Sequence, residues 1–123
     1  MNKLFNVNEF RLKLYPKDFY KVRDFYLNEL HFPILNEWDR SDSDKGVMFD
    51  VNGTILELLS TKGEYVSVSG SDLSLGVPDV HALYEELQDK DFVTRGLVDN
   101  AWGDTSFRVA DPEGFQISFF TKH

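Results

Sequence analysis

The sequence repeats one order of local patterns twice, and this repeat constrains the fold more than any other feature. In each half, a short alternation of apolar and polar residues is followed by an amphipathic helix pattern and then by several strand patterns. The halves cover about residues 9–60 and 72–121, and residues 61–71, rich in Ser and Gly, form a connector. The sequence therefore predicts one α+β domain, residues 1–123, built from two βαβββ modules, here named module 1 and module 2.

Module 1 opens with a period of two that predicts a half-buried strand. Its apolar set, expected to face a helix, alternates with a second set: Phe10, Leu12 and Leu14 against Arg11, Lys13 and Tyr15. Asp18 is the predicted N-cap of a helix that ends near His31. A strand is predicted over residues 34–39. Strands over 47–51 and 54–59 flank Asn52-Gly53, the dipeptide favoured in type I′ hairpin turns.

Module 2 repeats these elements. Leu73, Leu75 and Val77 alternate with Asp72, Ser74 and Gly76, after which Pro78 and Asp79 begin a helix. Three further strands are predicted, over residues 92–98, 105–110 and 115–121. The last two are joined by Asp111-Pro112-Glu113-Gly114, which suits a type I turn with Asp first, Pro second and Gly last.

Strand parity predicts which side chains face away from the helices. Two such modules are expected to form a curved mixed sheet, an open cup with the helices on its convex face. The alternation turns Arg11, Glu57, Asp72 and Ser118 toward the concave side, while their neighbours on each strand pack under the helices. The sequence thus predicts a cup with polar groups on its floor.

Composition excludes several classes of function. The chain has 13 basic and 21 acidic residues, a formal net charge of −8, which disfavours nucleic-acid binding because that binding depends on Lys and Arg. There is no cysteine, which excludes disulfides and thiolate chemistry and fits a cytoplasmic location. No apolar run is long enough to span a membrane, and the first residues lack the apolar segment of a signal peptide.

Several segments together resemble the vicinal oxygen chelate superfamily. They are the doubled βαβββ pattern, residues 22–26 followed by Leu30-His31-Phe32, and Trp102-Gly103-Asp104 leading into residues 111–117. The likeness extends from about Glu9 to Phe120 and covers nearly the whole chain. Members of this superfamily include glyoxalases, bleomycin-resistance proteins, fosfomycin-resistance enzymes and extradiol dioxygenases. Because these members share a fold and differ in chemistry, function must be argued from the site.

The resemblance implies four inward positions that bind a divalent metal in the enzymes of the superfamily, usually through His, Glu or Gln. In this chain they correspond to Arg11, Glu57, Asp72 and Ser118. A guanidinium has no lone pair to offer, and Ser is a poor ligand for zinc, nickel or ferrous iron. We therefore expect no metal, no cofactor and no catalytic residue, and we interpret the four residues as ligand contacts.

Two interpretations of this floor remain open. Arg11 with Glu57 and Asp72 could form an ion-pair network that replaces the metal and has no other role, or Arg11 could bind a ligand carboxylate or phosphate. Aromatic residues offer a second indication, since five of them fall where the family rims its cup: Trp38, Phe49, Tyr65, Trp102 and Phe107. Most Phe and Tyr residues are expected to be core, Phe107 among them. Trp38 and Trp102 are the better candidates for ligand contacts because charges lie beside them. The acidic stretch 39–45 indicates a solvated hairpin connection and not a calcium loop.

The resulting hypothesis is a metal-independent small-molecule-binding protein of the glyoxalase/bleomycin-resistance type, one that sequesters a drug or metabolite. The alternative is a metal-dependent lyase, isomerase or dioxygenase of the same superfamily, similar to lactoylglutathione lyase, with Glu57 and Asp72 as ligands. A third possibility is an interaction module whose cup is filled by its own side chains. The resemblance also implies a homodimer, with no nucleic acid or membrane as partner.

Overall fold

The computed structural model describes residues 3–61, 63, 65 and 68–123, and the chain divides into two compact units after residue 67. Of the predicted connector 61–71, residues 62, 64, 66 and 67 lie outside the described residues. Each unit contains one βαβββ module, which confirms the α+β class and the doubled pattern. Module 1 consists of β1 (Arg11–Leu14), α1 (Phe19–Asp24), β2 (Ile34–Ser41), β3 (Asp44–Val51) and β4 (Thr54–Leu59). Module 2 consists of β5 (Asp72–Gly76), α2 (Val80–Leu87), β6 (Val93–Asn100), β7 (Asp104–Ala110) and β8 (Gln116–Lys122).

The two modules have the same sheet topology. The strand order is β1-β4-β3-β2 in module 1 and β5-β8-β7-β6 in module 2. In each sheet the first strand pairs in parallel with the last, and the other pairs are antiparallel. A parallel pair needs a crossover, which the helix following the first strand begins, whereas antiparallel neighbours need only hairpins.

The helix cap and the hairpin turn predicted for module 1 are both present in the structure. The Asp18 carboxylate accepts a hydrogen bond from the Lys21 backbone N–H at 3.2 Å and caps α1. After α1 the chain continues as a π-helical turn over Phe25–Glu29. The turn between β3 and β4 has positive φ angles of 52° at Asn52 and 88° at Gly53, which confirms the hairpin.

The core of module 1 lies between α1, the π-helical turn and one face of the sheet. Tyr26 stacks on Phe32 with ring centroids 5.9 Å apart and lies 6.1 Å from Phe49, and both Tyr26 and Phe49 are fully buried. Phe49 is therefore a core residue, and the expectation that it rims the cup is wrong. The expectation that Phe10 packs under the helix is also wrong, because β1 begins one residue later and Phe10 is 63% exposed.

Module 2 also has the predicted helix cap and the predicted β-turn. The Asp79 carboxylate accepts hydrogen bonds from two backbone N–H groups of the first turn of α2, both at 3.1 Å. In the predicted turn between β7 and β8, the Asp111 carbonyl accepts from the Gly114 N–H at 2.9 Å. The buried Asp111 carboxylate also accepts from the N–H groups of Glu113 and Phe115. The turn is confirmed.

The core of module 2 lies under α2. Tyr84 of α2 contacts Phe107 of β7 edge to face at 5.2 Å, and Phe107 lies 5.5 Å from Phe119 of β8. Phe107 is fully buried, which confirms the expectation that it is a core residue. No helix in the described part of the chain combines the length and the apolar character that crossing a membrane requires.

Candidate functional site

Arg11 and Glu57 lie on neighbouring strands, on the face of module 1 away from α1. In the parallel β1–β4 pair, Lys13 is level with Glu57, and Leu56 and Leu58 are buried on the opposite face. The Nη1 atom of Arg11 lies 3.3 Å from Oε1 of Glu57, so the structure brings together the two residues that strand parity placed on one face.

A second carboxylate also contacts Arg11. The Nε of Arg11 donates to Oε2 of Glu9 at 3.1 Å. The hydrogen bond to Glu9, and to a smaller extent the one to Glu57, raises the pKa of the Arg11 guanidinium above its usual range. The two partners differ in exposure, since the side chain of Glu9 is 47% exposed and that of Glu57 only 6%. Water screens the attraction between Arg11 and the exposed Glu9. The buried Glu57 carboxylate is shielded from water and depends on Arg11 to compensate its charge.

In module 2, the other two predicted floor residues have different surroundings. Asp72 is exposed at the start of β5 and is level with Gln116 of β8. Ser118 is buried, level with Ser74 of β5 and Arg108 of β7, and its hydroxyl accepts a hydrogen bond from Nε of Arg108 at 3.3 Å. Whether Asp72 and Ser118 join Arg11 and Glu57 in one site stays a prediction.

The four positions do not fit a divalent metal of the kind that the family binds. Arg11 is protonated and held by carboxylates, and the Ser118 hydroxyl is engaged by an arginine. Within each module, no three His, Asp or Glu side chains among the described residues lie close enough together to hold a metal ion. Glu57 and Asp72 are the two residues of ordinary ligand type.

Trp38 lines a pocket that lies within module 1. Trp38 of β2 is level with Gly46 of β3, and a Cβ atom at Gly46 would lie 2.1 Å from Cζ2 of the indole. The indole therefore rests directly on the Gly46 backbone, which only glycine permits. Beside it is an open pocket of about 370 Å³, lined among others by Tyr15, Trp38, Arg40, Asp44, Lys45 and Leu59. Arg11 does not line it, although Leu59 follows Glu57 on the same face of β4, roughly 7 Å along the strand.

Several charged side chains lie close to Trp38 and the pocket beside it. The Nε of Arg40 lies 2.8 Å from Oδ2 of Asp44, and this hydrogen bond raises the pKa of the guanidinium, which also lies 6.0 Å from the Trp38 ring. The ammonium of Lys45 lies 4.8 Å from the ring centroid of Tyr20. The Tyr20 hydroxyl donates to the Asp39 carboxylate, and this hydrogen bond raises the pKa of the phenol. A ligand in the pocket would meet an indole face, an aliphatic side chain and groups of both charges.

The sequence predicted two of these lining residues and missed the others. Trp38 was a predicted ligand contact and Tyr15 was predicted to face this side. Arg40, Asp44 and Lys45 belong to the stretch 39–45, for which only a solvated connection was predicted. Their polar character gave no indication of a pocket, because the pocket depends on which strands pair around it.

Trp102, the other predicted aromatic contact, lies in the turn between β6 and β7. It is 78% exposed, and its indole N–H donates to Oδ2 of Asp104 at 3.1 Å. It does not line the pocket beside Trp38.

Comparison with known families identifies the chain. The profile of the glyoxalase/bleomycin resistance protein/dioxygenase superfamily matches residues 8–119. The chain belongs to this superfamily. The fold and the capped, doubled βαβββ modules agree with that membership, which confirms the resemblance carried by the sequence motifs. The search of curated proteins finds no match.

Solved structures agree on the fold. The chain is similar to TioX from Micromonospora sp. ML1, at 20% identity over 95% of this chain and 100% of that one, with a TM-score of 0.74. It is also similar to a glyoxalase/bleomycin resistance protein/dioxygenase from Alicyclobacillus acidocaldarius, at 18% identity over 94% and 91%, with a TM-score of 0.70. For a lactoylglutathione lyase from Agrobacterium tumefaciens the identity is 14% over 91% of each chain, with a TM-score of 0.69. At these identities the likeness is one of fold.

Proposed function

We propose that this superfamily member binds a small organic molecule without a metal, and that the ligand lies in the pocket beside Trp38. The pocket carries the proposal: its volume of about 370 Å³ is within the range of roughly 300–1,000 Å³ usual for small-molecule sites. The half-buried indole of Trp38 lines this pocket and favours a flat ligand, since stacking on Trp adds to the free energy of apolar burial. The sequestering role of the bleomycin-resistance type is the closest functional class.

We keep as proposed ligand contacts five residues that do not line this pocket: Arg11, Glu57, Asp72, Ser118 and Trp102. The Arg11–Glu57 pair supports binding over catalysis, because a permanent cation stands at a position where the family's enzymes carry a metal ligand. The ion pair also keeps the buried Glu57 compensated, so the site needs no divalent cation for its stability.

A thermal-shift screen tests the proposal. The panel contains bleomycin, glutathione adducts of dicarbonyl compounds and aromatic acids, and a compound that binds only the folded chain raises the melting temperature. Compounds that bind are then titrated against the Trp102→Phe variant, in which Trp38 is the single tryptophan. A change in Trp38 emission that saturates with ligand is expected.

Paired tryptophan variants locate the site. We expect Trp38→Phe to weaken binding by roughly tenfold, which corresponds to the loss of about 1.4 kcal/mol of stacking and contact energy. The exposed Trp102 predicts a smaller loss for Trp102→Phe. A panel without any binding compound, or an affinity unchanged in Trp38→Phe, would contradict the pocket as the ligand site.

The alternative function is a metal-dependent lyase, isomerase or dioxygenase. The structural similarity to a lactoylglutathione lyase and the ligand-type residues Glu57 and Asp72 favour it. Metal analysis of protein purified without chelator separates the two functions. Nickel, zinc or iron at one equivalent per chain would support the enzyme, and substoichiometric metal supports the metal-independent binder.

A cytoplasmic homodimer completes the proposal. The absence of cysteine fits a reducing compartment. Phe5, Val7 and Phe10 are close together in the sequence and all exposed, and exposed apolar residues favour association. Light scattering at several concentrations should give twice the mass of 14.3 kDa, and Phe5→Ser with Phe10→Ser should lower it. A monomer mass at all concentrations would contradict the dimer.

A further inference from the structure

Two of the five arginines differ from the other three in their partners. Arg11, Arg23 and Arg40 each lie within 4.0 Å of at least one carboxylate oxygen. Among the described residues, neither Arg95 nor Arg108 forms an ion pair, although the chain has 21 acidic side chains. In an acidic chain, two unpaired arginines in one place need a physical explanation.

Arg95 and Arg108 lie side by side in module 2. They are register partners in the antiparallel β6–β7 pair, so their Cα atoms are roughly 5 Å apart. Phe107 and Val109, the neighbours of Arg108, are fully buried, and Phe107 packs on Tyr84 of α2. Both arginines therefore project from the face of the sheet that is away from α2, the same face as Ser118.

The hydrogen bonds of the pair go to neutral groups. The Nη2 of Arg95 donates to Oγ of Ser106 at 2.7 Å, and Nε of Arg108 donates to Oγ of Ser118 at 3.3 Å. Ser106 also accepts from Nδ2 of Asn100 at 3.0 Å. Both serines are buried, and the Nε of Arg95 is buried without a hydrogen-bond partner in the part of the chain that the structure describes. The hydroxyl groups orient the guanidiniums but do not neutralise them.

We propose that this arginine pair is an oxyanion site that binds a carboxylate or phosphate group of a small molecule. Two adjacent guanidiniums repel each other until an anion lies between them, and their planar N–H donors match the spacing of carboxylate and phosphate oxygens. Such an anion would accept hydrogen bonds from guanidinium N–H groups of Arg95 and Arg108 other than those that donate to Ser106 and Ser118. The arginine pair belongs to module 2 and the pocket beside Trp38 to module 1, and the proposal does not depend on ligand binding at Trp38.

Arginine side-chain NMR on the full chain tests the site directly. The Nε–H resonances are followed while inorganic phosphate or phthalate is added at constant ionic strength, with sodium chloride replaced in equal measure. We expect saturable shifts for Arg95 and Arg108, while Arg23, which is paired with Asp24 and Glu37 and is not among the proposed ligand contacts, serves as the internal reference. Phosphate and phthalate arms show which oxyanion binds more tightly, and saturation by either supports the site.

Conservative variants show whether the planar fork is required. Arg95→Lys and Arg108→Lys keep the charge and lose the fork, so each should weaken anion binding by about tenfold. The matched control is Arg23→Lys, whose arginine is paired with Glu37 in module 1, and it should leave the affinity unchanged.

Three results would overturn the site. They are the absence of saturable shifts with either anion, parallel shifts of all five arginines, and shifts that follow protein concentration without added anion, which would assign the pair to contacts between copies of the chain. Because inorganic phosphate is not in the thermal-shift panel and the arginine resonances report on module 2 and not on Trp38, failure here and failure of the proposed function are distinguishable.

Discussion

The faces of the two modules away from their helices have the same sheet topology and different electrostatics. In module 1, Arg11 on the first strand is compensated by Glu57 on the last. In module 2, the equivalent strands carry Asp72 and Ser118, and the guanidinium that reaches Ser118 comes from Arg108 on β7. The doubled fold therefore does not duplicate the site: in module 1 the buried Glu57 pairs with Arg11, whereas in module 2 Arg95 and Arg108 donate to serine hydroxyls and form no ion pair among the described residues.

The two modules also differ in how closely an aromatic side chain approaches a strand glycine, and substitution of those glycines has the largest expected effect. A Cβ at Gly46 would lie 2.1 Å from Trp38, whereas one at Gly96 would lie 3.1 Å from the Tyr84 hydroxyl. We expect Gly46→Ala to lower the free energy of unfolding by about 1–3 kcal/mol through overpacking, as measured by urea denaturation.

Gly96→Ala is the matched control for this prediction. Its added methyl group meets the end of one side chain at a distance that a small shift relieves, so a smaller loss is expected. Gly46→Ala should also alter Trp38 emission in a Trp102→Phe background. Equal losses for the two variants would break the contrast between the modules.

The second effect concerns the two carboxylates that share Arg11. Glu57→Gln should lower the melting temperature by several degrees, because a charge-assisted hydrogen bond at a buried position is replaced by a neutral one. Glu9→Gln removes the same charge at a position where water already competes, so the melting temperature should change little. Differential scanning calorimetry of both variants measures the difference, and the reverse order would show that the compensation of module 1 is at its surface.

The smallest effect is a pH dependence at the edge of module 1. The hydrogen bond to Asp39 raises the pKa of Tyr20 above its usual value of about 10. Because the folded-state pKa is the higher one, the stabilisation is fully present below about pH 10 and is lost as the pH rises through the raised pKa.

Alkaline titration checks this sign. The free energy of unfolding of the wild-type chain should fall above pH 10 more steeply than that of Tyr20→Phe. The phenolate absorbance of Tyr20 should appear at a higher pH than that of the other tyrosines. Parallel stability profiles of the two proteins would show that Asp39 and Tyr20 do not interact in solution.

Much of the fold was predictable because its signals are local. The caps at Asp18 and Asp79, the Asn52-Gly53 hairpin and the Asp111 turn each depend on a few consecutive residues. Strand parity extended this reasoning to Arg11 and Glu57, since alternation alone puts both on the face away from α1. Parity failed at Phe10, where the strand had not yet begun.

The candidate sites were predictable only in part. Trp38 was singled out by its type and its charged neighbours, but Arg40 and Lys45 were assigned to solvent because a polar stretch does not indicate what packs against it. Arg95 and Arg108 drew no attention in the sequence, where they are separated by 12 residues. Their adjacency arises from the register of β6 on β7, which is interrupted by irregularities that no local pattern indicates.

The sequence by itself determined the order of elements, their turns and caps, and the face of each strand, because these follow from backbone preferences and from the period of apolar residues within short windows. The tertiary structure decided which residues meet across the sheets: Arg11 with Glu57, Arg95 with Arg108, and Trp38 with Gly46. Such pairs depend on the register between strands, both in the consecutive pairs β2–β3 and β6–β7 and in the distant pair β1–β4. Register is set by the summed packing of the sheet and not by any residue within the pair.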